Sequence, residues 1–205
     1  MNAASEPLPI APSVSPTGGD AALAARLAAR DAEALREVVA LHAGVLHRVA
    51  FRMTGDAHEA EDIVQEALLR LWDHAPALAD RHPAGSQAAA HLRLGGWLQR
   101  VVTNLAIDRL RRARRIAGGE VPEEEDAAPL ADALIEAGER EGQARALVLA
   151  LPERQRAAIV LTYYEDLPNA EAAAALDMNI KAFESLLHRA RAALRQAFAA
   201  QGDTP

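Results

Sequence analysis

The stretch Asp56–His74, DAHEAEDIVQEALLRLWDH, constrains the chain most. Ala60, Val64, Ala67, Leu68 and Leu71 recur at i, i+4, i+7, i+8 and i+11, flanked by Ile63 and Trp72, which is the stripe of an amphipathic helix. Gly55 can end a preceding helix, Asp56 can accept from the first free backbone N–H groups, and Glu59 stands where a capping box needs it. The other face carries Glu59, Asp62, Gln65, Glu66, Arg70 and Asp73. Asp62 and Glu66 lie four apart and are surface neighbours, so this crowding of like charge does nothing for an isolated helix. A solvated face and a docking surface for a basic partner both fit it.

Half the residues are apolar but only 3% are aromatic, and alanine is abundant, which favours packed helices over a sheet. Residues 1–19 read as a disordered Pro/Ser/Gly-rich tail. A short helix begins at Asp20, and Asp31 opens a longer one with Leu35, Val38, Val39, His42, Val45, Leu46, Val49 and Met53 on its stripe. His42 reads as a core histidine. His47, five residues on, points too far around the helix to share a metal with it. The tight connection at Thr54-Gly55 makes this helix and the next antiparallel neighbours. Pro76–Gly96 reads as a loop.

From Trp97 to Arg115 a further helix buries Leu98, Val101, Val102 and Leu105, and sets Arg100, Asn104, Asp108, Arg111 and Arg115 along a polar ridge. Arg93–Arg115 holds seven arginines against one aspartate. That is either a solvated basic helix end or a surface that meets nucleic-acid phosphate with a few polar groups to specify bases. Residues 116–129 form an acidic flexible linker with a reach of at most about 50 Å. A helix follows over Leu130–Leu149, then LPERQRAAIVLTYYEDL, the short NAEAAAAL, a turn at Asp177-Met178-Asn179 and a long helix over Ile180–Ala199. A short helix, a tight turn and a longer helix is the helix-turn-helix order, with an ordinary three-helix bundle as the other reading. The last helix buries Phe183, Leu186, Leu187, Ala190 and Leu194 and exposes Lys181, Glu184, Ser185, His188, Arg189, Arg191 and Arg195.

The net charge of −7 is unevenly placed. Glu120–Glu141 alone carries −8 and residues 1–20 carry −2, which leaves +3 for the rest. A phosphate feels local sign within a Debye length of roughly 10 Å, so the acidic total does not exclude a nucleic-acid partner. There is no cysteine, hence no disulfide or thiolate metal site. No apolar run is long enough to cross a membrane, and the N-terminus has neither basic n-region nor apolar h-region, so a cytoplasmic protein without membrane insertion is expected. His58, Glu59, Glu61 and Asp62 lack the second Glu-x-x-His helix of a dinuclear site, so no metal, cofactor or catalytic group is assigned and no enzyme is expected.

Two patterns stand in a telling order. AEDIVQEALLRLW followed by WLQRVVTNLAIDRLRR resembles region 2 of bacterial sigma factors, and LPERQRAAIVLTYYEDLPNAEAAAALDMNIKAFESLLHRARAALR resembles their region 4. With little but a linker between them, the chain resembles the small two-domain extracytoplasmic-function (ECF) class of the sigma-70 family. The resemblance implies an all-α fold of two small helical domains, residues 20–115 and 130–200, joined by the acidic linker. It implies that Asp62, Gln65 and Glu66 dock on core RNA polymerase. Arg100, Asn104, Asp108, Arg111, Arg112 and Arg115 would meet the promoter −10 element. Lys181, Glu184, Ser185, His188 and Arg189 would face the −35 element. An anti-sigma factor is the implied regulator. The sequence departs from the family pattern in the long Pro76–Gly96 loop, in Asp177 where the turn usually has glycine, and in a larger Phe183 and smaller Ala173. A polymerase-independent helix-turn-helix regulator and a decoy that binds an anti-sigma factor are the competing functions.

Overall fold

The computed structural model describes residues 19–116 and 139–202. The expected tail and linker lie outside them, apart from Gly19 and Ile116 at helix ends, and so does the first part of the helix expected from Leu130. Among the described residues every regular element is helical. The N-terminal half holds α1 (Gly19–Ala28), α2 (Ala32–Thr54), α3 (Ala57–Arg81), a 3-10 turn at Gln87–His91 and α4 (Leu94–Ile116). The C-terminal half holds α5 (Glu139–Ala150), α6 (Glu153–Ile159) running into a π-helical turn at Val160–Tyr164, α7 (Asn169–Ala175) and α8 (Ile180–Gly202).

The caps follow from the sequence. Asp31 accepts from the Glu33 backbone N–H at 2.8 Å, and Asp56 accepts from that of Glu59 at 3.0 Å. Gly55 closes α2 at φ 77°, where an L side chain is strained, and its N–H returns to the Phe51 carbonyl. The capping box at α3 is only half made. Glu59 turns away to Arg109, and the Asp56 N–H is met by the Thr54 hydroxyl at 3.3 Å. A tertiary cap holds the start of α4, where the buried Asp20 carboxylate on α1 accepts from the Leu94 N–H at 2.8 Å.

The Pro76–Gly96 stretch is not a loop throughout. α3 continues through Pro76 to Arg81, and α4 begins at Leu94 rather than Trp97. A proline inside a helix leaves the carbonyl four residues back without its N–H partner. That carbonyl belongs to Trp72, and the Arg30 guanidinium donates to it at 3.0 Å while lying over the Trp72 ring. An orphan left by Pro76 is thus met from the turn between α1 and α2, which a local reading of Pro76 had no means to see. Ala75 and Leu78 on either side are buried, so the apolar period outlasts the proline.

α3 packs on α1 and α2, and α4 lies across α2 and α3. The α2 stripe is narrower than its sequence pattern: Val38, Leu46, Val49 and Met53 are buried, whereas Val39 is exposed one step round the helix. His42 is half-buried, and burial pushes its imidazole below the usual histidine range against the pull of Asp20. In the C-terminal half α8 packs on α6 and α7. The two helical domains pack on each other. α4 lies against α6 and α7, α2 lies against α5, and the buried apolar residues run as one cluster from Ala21 to Ala190. Arg156 threads this junction. Its guanidinium donates to the Met53 carbonyl at the end of α2 and to the Leu149 and Leu151 carbonyls of its own half. Burial pushes it down to about 10, with Glu153 pulling the other way.

Candidate polymerase and promoter surfaces

Asp62 and Gln65 are exposed on α3, and Glu66 is partly covered. The expected repulsion among these carboxylates is relieved from another helix. Arg109, on α4, places Nη1 3.0 Å from Glu59 Oε2 and 3.8 Å from Asp62 Oδ2, with Nη2 3.1 Å from Glu66 Oε2. The second oxygen of Glu66 accepts from Arg70 at 2.6 Å. Burial opposes the charge of Glu66, but its bonds to Arg109 and Arg70 outweigh that and hold it below the usual carboxylate range. Burial likewise opposes the charge of Arg109, and Glu59 and Glu66 more than restore it. Arg109 escaped the sequence reading because its partners lie at least 43 residues away and it stands off the ridge.

The ridge on α4 faces the C-terminal half. Arg100 pairs with Asp177, in the turn before α8. At the other end Arg111 Nε donates to Glu153 Oε1 at 3.0 Å, and Arg114 lies 3.4 Å from Glu153 Oε2. Burial works against the Glu153 charge, yet its own backbone N–H, Arg111 and Arg114 hold it below the usual range. Between these anchors Asn104 is half-buried and Asp108 exposed, while Arg112 and Arg115 are exposed at the end of the helix. Asp108 pairs with neither Arg111 nor Arg112, the partners its helical spacing offered; among the described residues it has no ion-pair partner.

On α8 the arrangement is open. Lys181, Glu184, Ser185, His188 and Arg189 are all exposed, and Phe183, Leu186, Leu187 and Ala190 are buried. Asn179 accepts from the Ala182 N–H at 2.9 Å and starts the helix. Asp177 adopts φ 55° in the turn, a conformation that aspartate tolerates better than most residues. Among the described residues no three His, Cys, Asp or Glu side chains form a group that could hold a metal ion, and no helix is long and apolar enough to cross a membrane.

An acidic exposed face, an arginine ridge and a short helix, turn and longer helix in helix-turn-helix order stand together on one helical chain, the arrangement of a protein that meets nucleic acid. The comparisons specify it. Residues 38–116 match the family model for sigma-70 region 2, and residues 141–194 match that for sigma-70 region 4. The chain is 35% identical to the ECF RNA polymerase sigma factor SigL of Mycobacterium tuberculosis, over 82% of this chain and 90% of that protein. It is 32% identical to the ECF RNA polymerase sigma factor SigE of Mycolicibacterium smegmatis, over 78% of this chain and 59% of that longer protein. Its fold is similar to that of CnrH solved in complex with the cytosolic domain of CnrY, with TM-score 0.60 and 26% identity, covering 90% of this chain and 99% of that one. The chain belongs to the ECF class of sigma-70 factors.

Proposed function

We infer that this chain binds core RNA polymerase through Asp62, Gln65 and Glu66, recognises the −10 element with the α4 ridge and the −35 element with α8, and directs transcription initiation in the cytoplasm. The observation that carries this is the α8 row, five exposed side chains on the second helix of a helix-turn-helix, in one chain with an exposed acidic face on α3. A major groove admits such a helix, and Lys181 and Arg189 supply cations for its phosphates. Glu184 suits a cytosine amino group rather than phosphate.

The closed packing adds a requirement. Elements centred at −10 and −35 lie about 25 base pairs apart, roughly 85 Å of duplex at 3.4 Å per pair. The Arg100–Asp177 pair holds the start of the helix-turn-helix turn against the α4 ridge. One closed molecule therefore cannot meet both elements, and the halves must part on the polymerase. The 22 residues between Ile116 and Glu139 reach at most about 80 Å, and α8 itself extends the span. A protein that clamps the halves together would block this step. CnrH, whose fold is similar, is solved in complex with the cytosolic domain of CnrY, which supports a protein partner for this chain; an anti-sigma factor is the partner we infer.

Run-off transcription with core polymerase on genomic promoters tests the reading. Specific starts are expected only when the chain is added, with shared sequence near −10 and −35. Tight binding to intact duplex without polymerase, and no specific starts with it, would instead mark a self-sufficient regulator.

A further inference from the structure

We propose that Arg109 is a positioning residue for the polymerase-docking face: it ties Glu59 and Glu66 on α3 to the promoter-reading helix α4 and so fixes Glu66 beside the freer Asp62 and Gln65 that meet a basic partner. The inference rests on the reading that this face docks on polymerase.

The geometry divides the acidic residues into two roles. Both oxygens of Glu66 are already engaged, one by Arg109 at 3.1 Å and one by Arg70 at 2.6 Å. Glu59 gives one oxygen to the same guanidinium at 3.0 Å. Asp62 lies 3.8 Å away, beyond a good hydrogen bond, and its side chain is 64% exposed. An incoming cation meets Asp62 with neither oxygen hydrogen-bonded, whereas each oxygen of Glu66 already accepts from an arginine. Arg109 itself is 29% exposed and held by two carboxylates seven residues, about two turns, apart on α3, so it also sets the rotation of α4 against α3. A planar fork does this better than an ammonium, because its donors meet two carboxylates at once in a fixed geometry.

Losing Arg109 has two opposed effects on a basic partner. The face becomes more negative by one charge, which attracts the partner. The carboxylates lose their fixed arrangement, which weakens specific contact. The first is long-range and screened over roughly 8 Å at physiological salt, so there the second dominates.

Arg109→Ala is therefore expected to weaken association with core polymerase about tenfold at physiological salt, with a smaller loss at low salt. Arg109→Lys should recover only part of the loss. A double-mutant cycle supplies the readout that a merely structural role would not move. If Arg109 acts through Glu66, Arg109→Ala should cost little once Glu66 is replaced by glutamine. Unchanged or tighter binding by Arg109→Ala at physiological salt, or full additivity with Glu66→Gln, would overturn the proposal. Should the alanine variant melt early, Arg109→Lys carries the same cycle with the charge and aliphatic stem retained. Lysine reversal of Asp62 and Glu66 separates the two readings. If reversal leaves core association intact, the docking reading fails and takes this inference with it. If reversal abolishes association while Arg109→Ala is neutral, only the role of Arg109 is lost.

Discussion

α4 and α8 are both 23 residues long, both amphipathic, and both carry a polar row on the side away from the core. Their surroundings differ. The α4 row is fastened at each end to the other half of the molecule, by Arg100 to Asp177 and by Arg111 and Arg114 to Glu153. The five −35 candidates of α8 are open to solvent, and among the described residues Lys181, Glu184 and Arg189 have no ion-pair partner. The helix expected to face the −35 element is free of such partners, while the helix expected to meet the −10 element is fastened to the other half. Exposure of a basic row therefore does not by itself mark a surface as available. The partners at its ends decide that.

The largest effect should come from Arg156, which lies inside the junction between the two halves. Arg156→Ala leaves the Met53, Leu149 and Leu151 carbonyls without their donor in a buried place, at a cost of about 3 kcal/mol. Melting of the whole chain as one unit should shift down by several degrees. If only the C-terminal half melted earlier while the N-terminal half kept its transition, the shared core would be refuted, and with it the contrast between a held and a free helix.

The next test separates roles within the held row. Asn104→Ala in the polymerase complex is expected to cost roughly 1–3 kcal/mol on promoters with the preferred −10 base and to leave the salt slope nearly intact. Arg111→Ala should weaken opening about equally on all templates and lower that slope by roughly one unit. Equal weakening of every template by Asn104→Ala would remove it from base reading.

A smaller effect is expected from loosening the fastenings themselves. Glu153→Gln with Asp177→Asn removes the partners of Arg111, Arg114 and Arg100. These pairs are largely exposed on the arginine side, so each contributes well under about 1 kcal/mol. Binding of the free protein to −10 element DNA should rise a few-fold, and binding to −35 element DNA should stay constant, as read by fluorescence anisotropy. An equal rise for both would mean that α8 was restrained too.

The helices, their caps at Asp31, Asp56 and Gly55, and the exposed row on α8 were legible because each depends on residues within one or two turns. What the sequence concealed depends on partners far along the chain. Pro76 reads as a breaker until Arg30 supplies a donor for the carbonyl it orphans. The acidic face of α3 reads as self-repelling until Arg109 arrives from α4. Arg156 and Glu153 look like an ordinary first turn of α6, and nothing local shows that one caps α2 and the other holds α4. Asp177 is legible as a turn residue but not as the partner of Arg100. The period of a helix reports which face is buried; it does not report which polar groups other elements bring to that face.

The finest test uses acid, because two carboxylates at the junction respond with opposite sign. Glu153 is held below the ordinary glutamate value of 4.5 in the folded chain: burial resists its charge, but its backbone N–H, Arg111 and Arg114 prevail. Its contribution to stability is present above the unfolded value and is lost as pH falls through the lowered folded one. Glu165 accepts from Arg52 on α2 at 2.7 Å, yet burial, with Asp166 nearby, raises it above 4.5 despite Arg52 and Arg48. Its contribution is complete below the unfolded value and is lost as pH rises through the raised folded one. Glu153→Gln should therefore flatten the loss of stability below about pH 4.5. Glu165→Gln should remove a gain that the unaltered protein shows as pH approaches 4.5 from above. Other carboxylates held low, such as Glu66, still titrate in both variants, so the quantity to compare is the difference in melting temperature from the unaltered protein at each pH. If both variants bend the profile in the same direction, the two carboxylates do not sit in the contrasting surroundings assigned to them, and the fastening of α4 by Glu153 would be the weaker of the two claims.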